Sequence, residues 1–526
     1  MDMTTITHSR SRRIAAAAGA FALAAAGVLG FAGSASADPI GGVGNIVSPD
    51  PGTGSITVHK YTKTSTNGST AGDGTQVTPT GAPIPGVTFT VREVLSSSAS
   101  LPLLTNAGWT TANAIQGAFS PASPVASLTA ISGVTLTAGT SVVTNASGDA
   151  AFANLHYGLY LVQETAAPAN VTDPSLPFLV TVPFPTGAAN ATNPNEWLYA
   201  VHVYPKNAVT GVTKAVKSAD TAFRTAADYV TWTIGATVPT VASGGINTFT
   251  VADTVDPAQL SFVTGTVPSG ISPRAIRVFN AGGTDVTSNF TLTTDYTYTV
   301  SGTNNEVQTL AFTSTGRADL ATYASGGRVE FDVPTQVVAV PTAGTVLNST
   351  HLVANSGTSD ASSSQDFGKL RVLKFAMTDV ADVPTKTPLA GATFEVYADA
   401  DADGVADAGE LVTVNGATSW TTDAAGIVNI PALKPGAYLL KETAAPVGYQ
   451  ALSAVVPATV VAGDVVATGT VQNYVEVENS QLPPWLLPFT GGNGVLTFTI
   501  VGAGLMALAF GFAFVAFRRR KQAEQA

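Results

Sequence analysis

A stretch that occurs twice constrains this chain more than any other feature. Tyr160-Leu161-Val162-Gln163-Glu164-Thr165-Ala166-Ala167-Pro168 returns as Tyr438-Leu439-Leu440-Lys441-Glu442-Thr443-Ala444-Ala445-Pro446. Each copy is preceded by a glycine and alternating residues and stops at a proline, so each reads as a strand running into a loop. A shared element so far apart implies two related domains flanking a third. The first spans residues 38–208, with a loop-rich insertion over 95–145. The second, 209–367, opens with Val212-Thr213-Lys214-Ala215-Val216 and the strand-like Tyr229-Val230-Thr231-Trp232-Thr233-Ile234, and closes near a polar linker from Ser356 to Gln365. The third, 368–480, begins at Lys369-Leu370-Arg371-Val372-Leu373-Lys374.

The abundant β-branched Thr and Val suit pleated strands, while 51 glycines and 31 prolines break helices and supply turns. The expected class is all-β, with immunoglobulin-like sandwiches in series. A net charge of −11 offers no basic face to phosphates and argues against nucleic acid. There is no cysteine, so reinforcement of an exported fold must come from chemistry other than disulfides.

The two ends set the compartment. Arg10, Arg12 and Arg13, an apolar run from Ile14 to Ala32, and Ala35-Ser36-Ala37 describe a secretory signal peptide over residues 1–37. Ser11-Arg12-Arg13 lacks the Phe-Leu that would complete a twin-arginine signal. Residues 481–526 contain Leu487-Pro488-Phe489-Thr490-Gly491, an apolar run from Val495 to Phe517, and Arg518-Arg519-Arg520-Lys521. That run can cross a ~30 Å hydrocarbon core as a helix, with the cations left in the cytoplasm. An ordinary tail anchor is the simpler reading. An LPxTG pentapeptide just outside the span is instead the layout of a cell-wall sorting signal.

Trp197-x3-Val201-x-Val203-Tyr204-Pro205-Lys206 resembles the pilin motif of sortase-assembled major pilins of Gram-positive-type bacteria. The two Tyr…Glu-Thr-x-Ala-Pro stretches resemble the E-box of their Cna B-type domains. The second copy continues Val447-Gly448-Tyr449; the first has Ala169-Asn170 there. With the sorting signal, the resemblance covers essentially the whole chain. It implies a structural subunit of a surface fimbria, not an enzyme. A class C sortase would cleave between Thr490 and Gly491, and the Lys206 amine of another copy would attack the resulting thioester. The implied partners are that sortase, a housekeeping sortase, other copies of the chain, ancillary pilins, peptidoglycan and an unidentified host surface ligand. The rival is a monomeric wall-anchored adhesin or tip pilin.

The resemblance also implies self-formed Lys–Asn isopeptide bonds, and strand parity selects the partners. Ile56, Val58 and Lys60 share a face, as do Tyr160, Val162 and Glu164. Inward Val201 and Val203 put Asn207 inward and Lys206 outward, provided Pro205 does not shift the phase. The set is Lys60, Asn207 and Glu164, with an ordinary exposed lysine as the alternative at Lys60. In the third domain the same parity aligns Lys374, Glu442 and Asn479. The second has no E-box; the family's Asp variant points to Asp253, parity favours Lys214 over Lys217, and the acceptor is Asn348, with Asn355 competing.

Asp399, Asp401, Asp403, Val405, Asp407 and Glu410, with Gly404 at the turn, match an EF-hand-type loop and make a candidate structural Ca²⁺ site. Val396-Tyr397 before it reads as strand, so no EF-hand helices are expected. The five histidines show no ligand spacing.

Overall fold

The computed structural model describes residues 46, 53–64, 72–186, 197–241, 245–380, 383–468, 470–482 and 493–523. The signal-peptide region 1–37 and the pentapeptide Leu487–Gly491 lie outside the described residues. Strands dominate, in three consecutive blocks, and every sheet is built within one block.

The first block places β1 (Thr53–His59), β2 (Thr88–Ser96), β3 (Asp149–His156), β4 (Gly158–Ala166), β5 (Ala200–Val203) and β6 (Lys206–Val209). β1 lies between antiparallel β3 and parallel β5, so the first and last long strands are neighbours. The facing sheet is built around the β2–β4 pair. Ile56, Val58, Phe89, Tyr160, Val162 and Val201 fill the space between. The expected loop-rich insertion instead carries two helices, α1 (Asn106–Ala118) and α2 (Pro124–Thr129). Ala112, Ile115 and Leu128 pack on Leu159 and Leu161, the other face of β4, which is why that strand is buried on both sides. Gly108, Thr110 and Thr111 are weak helix formers that hide α1 in the sequence. The Thr105 hydroxyl caps it by accepting from Gly108 N.

The middle block contains β7 (Val212–Val216), β8 (Tyr229–Thr237), β9 (Phe249–Val255), β10 (Arg328–Val337), β11 (Thr345–Ala354) and β12 (Gly357–Asp366). One sheet includes β7–β8–β10; the other runs Tyr296–Ser301, Val307–Phe312, β9, β11, β12. The stretch expected as a linker is therefore β12, an edge strand paired with β11 from Ala354↔Gly357 to Thr345↔Asp366. The hairpin turns at Asn355, whose φ of 53° suits asparagine. Its Ser, Thr and Asp side chains give no apolar alternation, and the backbone ladder holds it.

The last block holds β13 (Gly368–Val380), β14 (Thr393–Ala398), β15 (Ile427–Leu433), β16 (Gly436–Ala444) and β17 (Tyr474–Glu478). β13 lies between antiparallel β15 and parallel β17, repeating the arrangement around β1. The two E-box strands repeat a corner bond: Tyr160 OH donates to His156 O at 2.7 Å, and Tyr438 OH to Lys434 O at 2.6 Å. One apolar cluster runs from Trp232, Leu260 and Val337 into Phe367, Phe394 and Tyr438, joining the middle and last blocks. Lys434 crosses that junction fully buried, donating to the carbonyls of Asp220 and Phe223 at 2.7 Å each. A separate helix, Asn493–Ala523, contains the apolar span Thr499–Arg518.

Candidate functional site

Three buried lysine–carboxyl–asparagine clusters form in the blocks. In the first, Lys60 follows β1 on the inner face and both Lys60 and Asn207 are 0% exposed. Lys60 Nζ donates to Asn207 Oδ1 and lies 2.9 Å from Glu164 Oε2. Asn207 Nδ2 donates to Glu164 Oε1 at 2.6 Å. One carboxylate therefore touches both the amine and the amide nitrogen. Burial pulls the Lys60 ammonium down to about 8, with Glu164 opposing the shift. Ser175, which sequence reasoning missed, donates to Glu164 Oε2 at 2.7 Å and accepts from Lys60 Nζ at 3.0 Å. A lone serine in a loop carries no signal of such a role.

In the last block Lys374 Nζ donates to Asn479 Oδ1, and Asn479 Nδ2 donates to Glu442 Oε1 and Oε2 at 2.9 and 3.0 Å. Lys374 lies 3.8 Å from Glu442, and burial again brings its amine down to about 8. In the middle block Lys214 Nζ pairs with Asp253 Oδ1, while Asn348 Nδ2 donates to Asp253 Oδ2 at 3.2 Å. Desolvation lowers Lys214 and raises Asp253, each toward its neutral form. Lys217 lies elsewhere, donating to Asp332 at 2.7 Å. Asn355 is spent on its turn, accepting from Asn247 N at 2.7 Å.

Asn207 and Lys206 are adjacent on β6 and face opposite ways. The register against residues 55–62 is the same on both sides of Pro205: Val58↔Val203 before it, Lys206↔Tyr61 and Asn207↔Thr62 after it. Lys206 is half-buried on the outer side, and its Nζ donates to Thr80 Oγ1 at 2.7 Å. Partial burial lowers its pKa, which favours a neutral, nucleophilic amine.

At the acidic loop the structure brings together the carboxylates of Asp399, Asp401 and Asp403, within 4.8 Å of one another. Gly404 turns the loop at φ 72°. Glu410 Oε1 accepts from Ala400 N at 3.0 Å, while its Oε2 is buried without a partner. Val405 and Asp407 are exposed and do not join the carboxylate group. Three clustered carboxylates suit a hard cation, and Glu410, with its unpartnered oxygen, lies outside the group they form. The strand before the loop is β14, and a short 3₁₀ turn, Ala408–Glu410, follows it. The histidines, scattered in sequence, are not all scattered in space: His59 Nε2 and His202 Nδ1 are 2.9 Å apart.

The family described as Gram-positive pilin subunit D1, N-terminal domain, matches residues 51–208. A prealbumin-like fold domain matches 377–474, and the LPXTG cell wall anchor motif matches 486–524. Fimbrial subunit type 2 of Actinomyces naeslundii is 30% identical, covering 98% of each chain. Fimbrial subunit type 1 of Actinomyces viscosus is 29% identical over 98% of this chain and 99% of its own. The full-length major pilin SpaD from Corynebacterium diphtheriae superposes with a TM-score of 0.59 at 25% identity, covering 82% of this chain and 98% of that one. With a wall-anchor motif followed by an apolar helix, and a fimbrial relative matched end to end, the chain belongs to the sortase-assembled, cell-wall-anchored pilin subunits of Gram-positive bacteria.

Proposed function

We propose that this chain is the backbone subunit of a covalent pilus, three domains in series, joined head to tail by Thr490–Lys206 isopeptide bonds. The observation that carries this reading is the half-exposed Lys206 amine, set on a strand whose next residue is locked in the core. A class C sortase thiolate attacks the Thr490 carbonyl and the Gly491 amine leaves. The neutral Lys206 amine of another copy then attacks the thioester, the thiolate departs, and an amide remains. A housekeeping sortase transfers the finished fibre to peptidoglycan. The chain is substrate in both steps. Immunoblots of cell-wall extracts test this reading: a high-mass ladder should collapse to monomer in Lys206→Ala. A ladder unchanged by that substitution refutes it, and a single band in the wild type supports a monomeric adhesin.

Each buried cluster would close its own bond. The lysine amine attacks the asparagine side-chain carbon, the carboxyl group takes a proton from the amine and returns one to the amide nitrogen, and ammonia leaves. The carboxylate bridging both nitrogens supports this route. The product also removes a buried charged pair that is costly when imperfectly solvated. Asp399, Asp401, Asp403 and Glu410, with the Val405 carbonyl and Asp407, would hold a structural Ca²⁺ that offsets part of the loop's negative charge. Chelation should then lower the melting temperature of the wild type and leave Asp401→Ala unmoved; equal melting with and without chelator counts against the site.

A further inference from the structure

The outward residues of the motif strand each bind one arm of the chain, residues 72–82. His202 N donates to Gly74 O at 2.9 Å. Tyr204 OH accepts from Val77 N at 2.7 Å and donates to Thr75 O at 3.3 Å. Lys206 reaches Thr80 at 2.7 Å. Beneath this arm lies a polar chain that the linkage chemistry does not use. Asp149 Oδ1 is 2.6 Å from His59 Nδ1, and His59 Nε2 is 2.9 Å from His202 Nδ1. The His59 ring stacks on Tyr204, with centroids 4.8 Å apart and planes 13° from parallel. His59 is 8% exposed.

Resting on the reading of Lys206 as the linking amine, we propose that His59 is a positioning residue for that linkage. Clamped by Asp149 and His202, its ring carries Tyr204 and the 72–82 arm that frame the lysine. The clamp has a proton rule. With Asp149 accepting from His59 Nδ1, a neutral His59 offers Nε2 as acceptor, and His202 Nδ1 must donate. One added proton is accommodated if His202 changes tautomer. A second leaves two N–H groups pointing at each other and breaks the pair. The titratable groups facing the pair are Asp149 on β3 and Tyr204 on the motif strand; Asp73 on the arm and Tyr61 act on Tyr204. Burial, and His59 beside it, hold His202 below the ordinary imidazole range. The clamp is therefore intact at neutral pH and is lost as pH falls below that range.

The test uses the full-length chain in detergent as amine acceptor, a class C sortase, and a labelled Leu-Pro-Phe-Thr-Gly peptide as acyl donor. Transfer to hydroxylamine at each pH corrects for the sortase's own titration, and the fall that protonation of Lys206 imposes is common to wild type and the histidine variants. Between pH 7 and pH 5 the corrected wild-type kcat/KM should fall about tenfold more than that of His59→Leu. His59→Leu should lose about tenfold at pH 7 and match wild type at pH 5. His202→Gln, which keeps an uncharged partner for His59, should keep its pH 7 to pH 5 fall within about threefold of that of His59→Leu. A His59→Leu protein with wild-type kcat/KM at pH 7 and a wild-type profile overturns the proposal. Label still entering Lys206→Ala overturns the linkage reading and this inference with it, whereas label lost in Lys206→Ala alone overturns only the role of His59.

Discussion

The outer and middle blocks assemble the same three functional groups in opposite ways. In the first and last blocks the amine and the amide lie on or at the ends of neighbouring parallel strands, and a glutamate reaches them from the facing sheet. In the middle block the acid and the amide share a sheet, on adjacent β9 and β11, and Lys214 reaches across from the other sheet. The lysines differ accordingly. Lys60 and Lys374 donate to the asparagine oxygen, whereas Lys214 lies against its aspartate and Asn348 Oδ1 has no partner. The outer bonds would therefore tie first strand to last strand, in line with a pull along the shaft. The middle bond would tie sheet to sheet. Acid length follows from the same geometry: glutamate spans the sandwich, and aspartate suffices beside its own neighbour strand.

The largest effect should come from removing an outer acid. Glu442→Ala should abolish the last bond, keep ~17 Da that wild type loses as ammonia, and lower stability by up to about 5 kcal/mol, from a closed loop on the order of 100 residues. Intact mass and thermal melting check both, and an unchanged mass decrement would break the comparison. Next is pH. Because burial lowers Lys60 and Lys374 to about 8, the reactive neutral amine is scarce below that pH. Bond formation during refolding at pH 6 to 8 should rise about tenfold per pH unit and level off above 8. A rate independent of pH would contradict an amine-limited step. The smallest effects separate the two asparagines of the middle block. Asn348→Ala should retain ~17 Da. Asn355→Ala should keep the wild-type mass and cost about 1 kcal/mol or less through its turn.

Strand parity made much of this legible. Alternation along Ile56, Val58 and Lys60, or Leu370, Val372 and Lys374, needs only a two-residue period and one apolar face. The repeated Tyr…Glu stretch located the outer acids in the same way. What escaped the sequence depends on contacts with no local pattern. The strand at 357–366 has no apolar face, because its ladder with β11 supplies its order. The helix at 106–118 breaks up its four alanines with two Gly, two Thr and two Asn, and packs on the apolar surface that Leu159 and Leu161 leave it. Lys434 reads as one more surface lysine, yet it is sealed between blocks by two backbone carbonyls. His59 and His202 meet only because parallel β1 and β5 lie side by side.

The central claim is that one outward amine receives a neighbour's threonine. Tandem mass spectrometry of protease-digested, purified fibres measures this directly. The account predicts a branched peptide in which the Thr490 carboxyl is amide-linked to Lys206 Nζ. A fibre whose Lys206 peptide is recovered unmodified, with Thr490 joined to a different lysine, would contradict it.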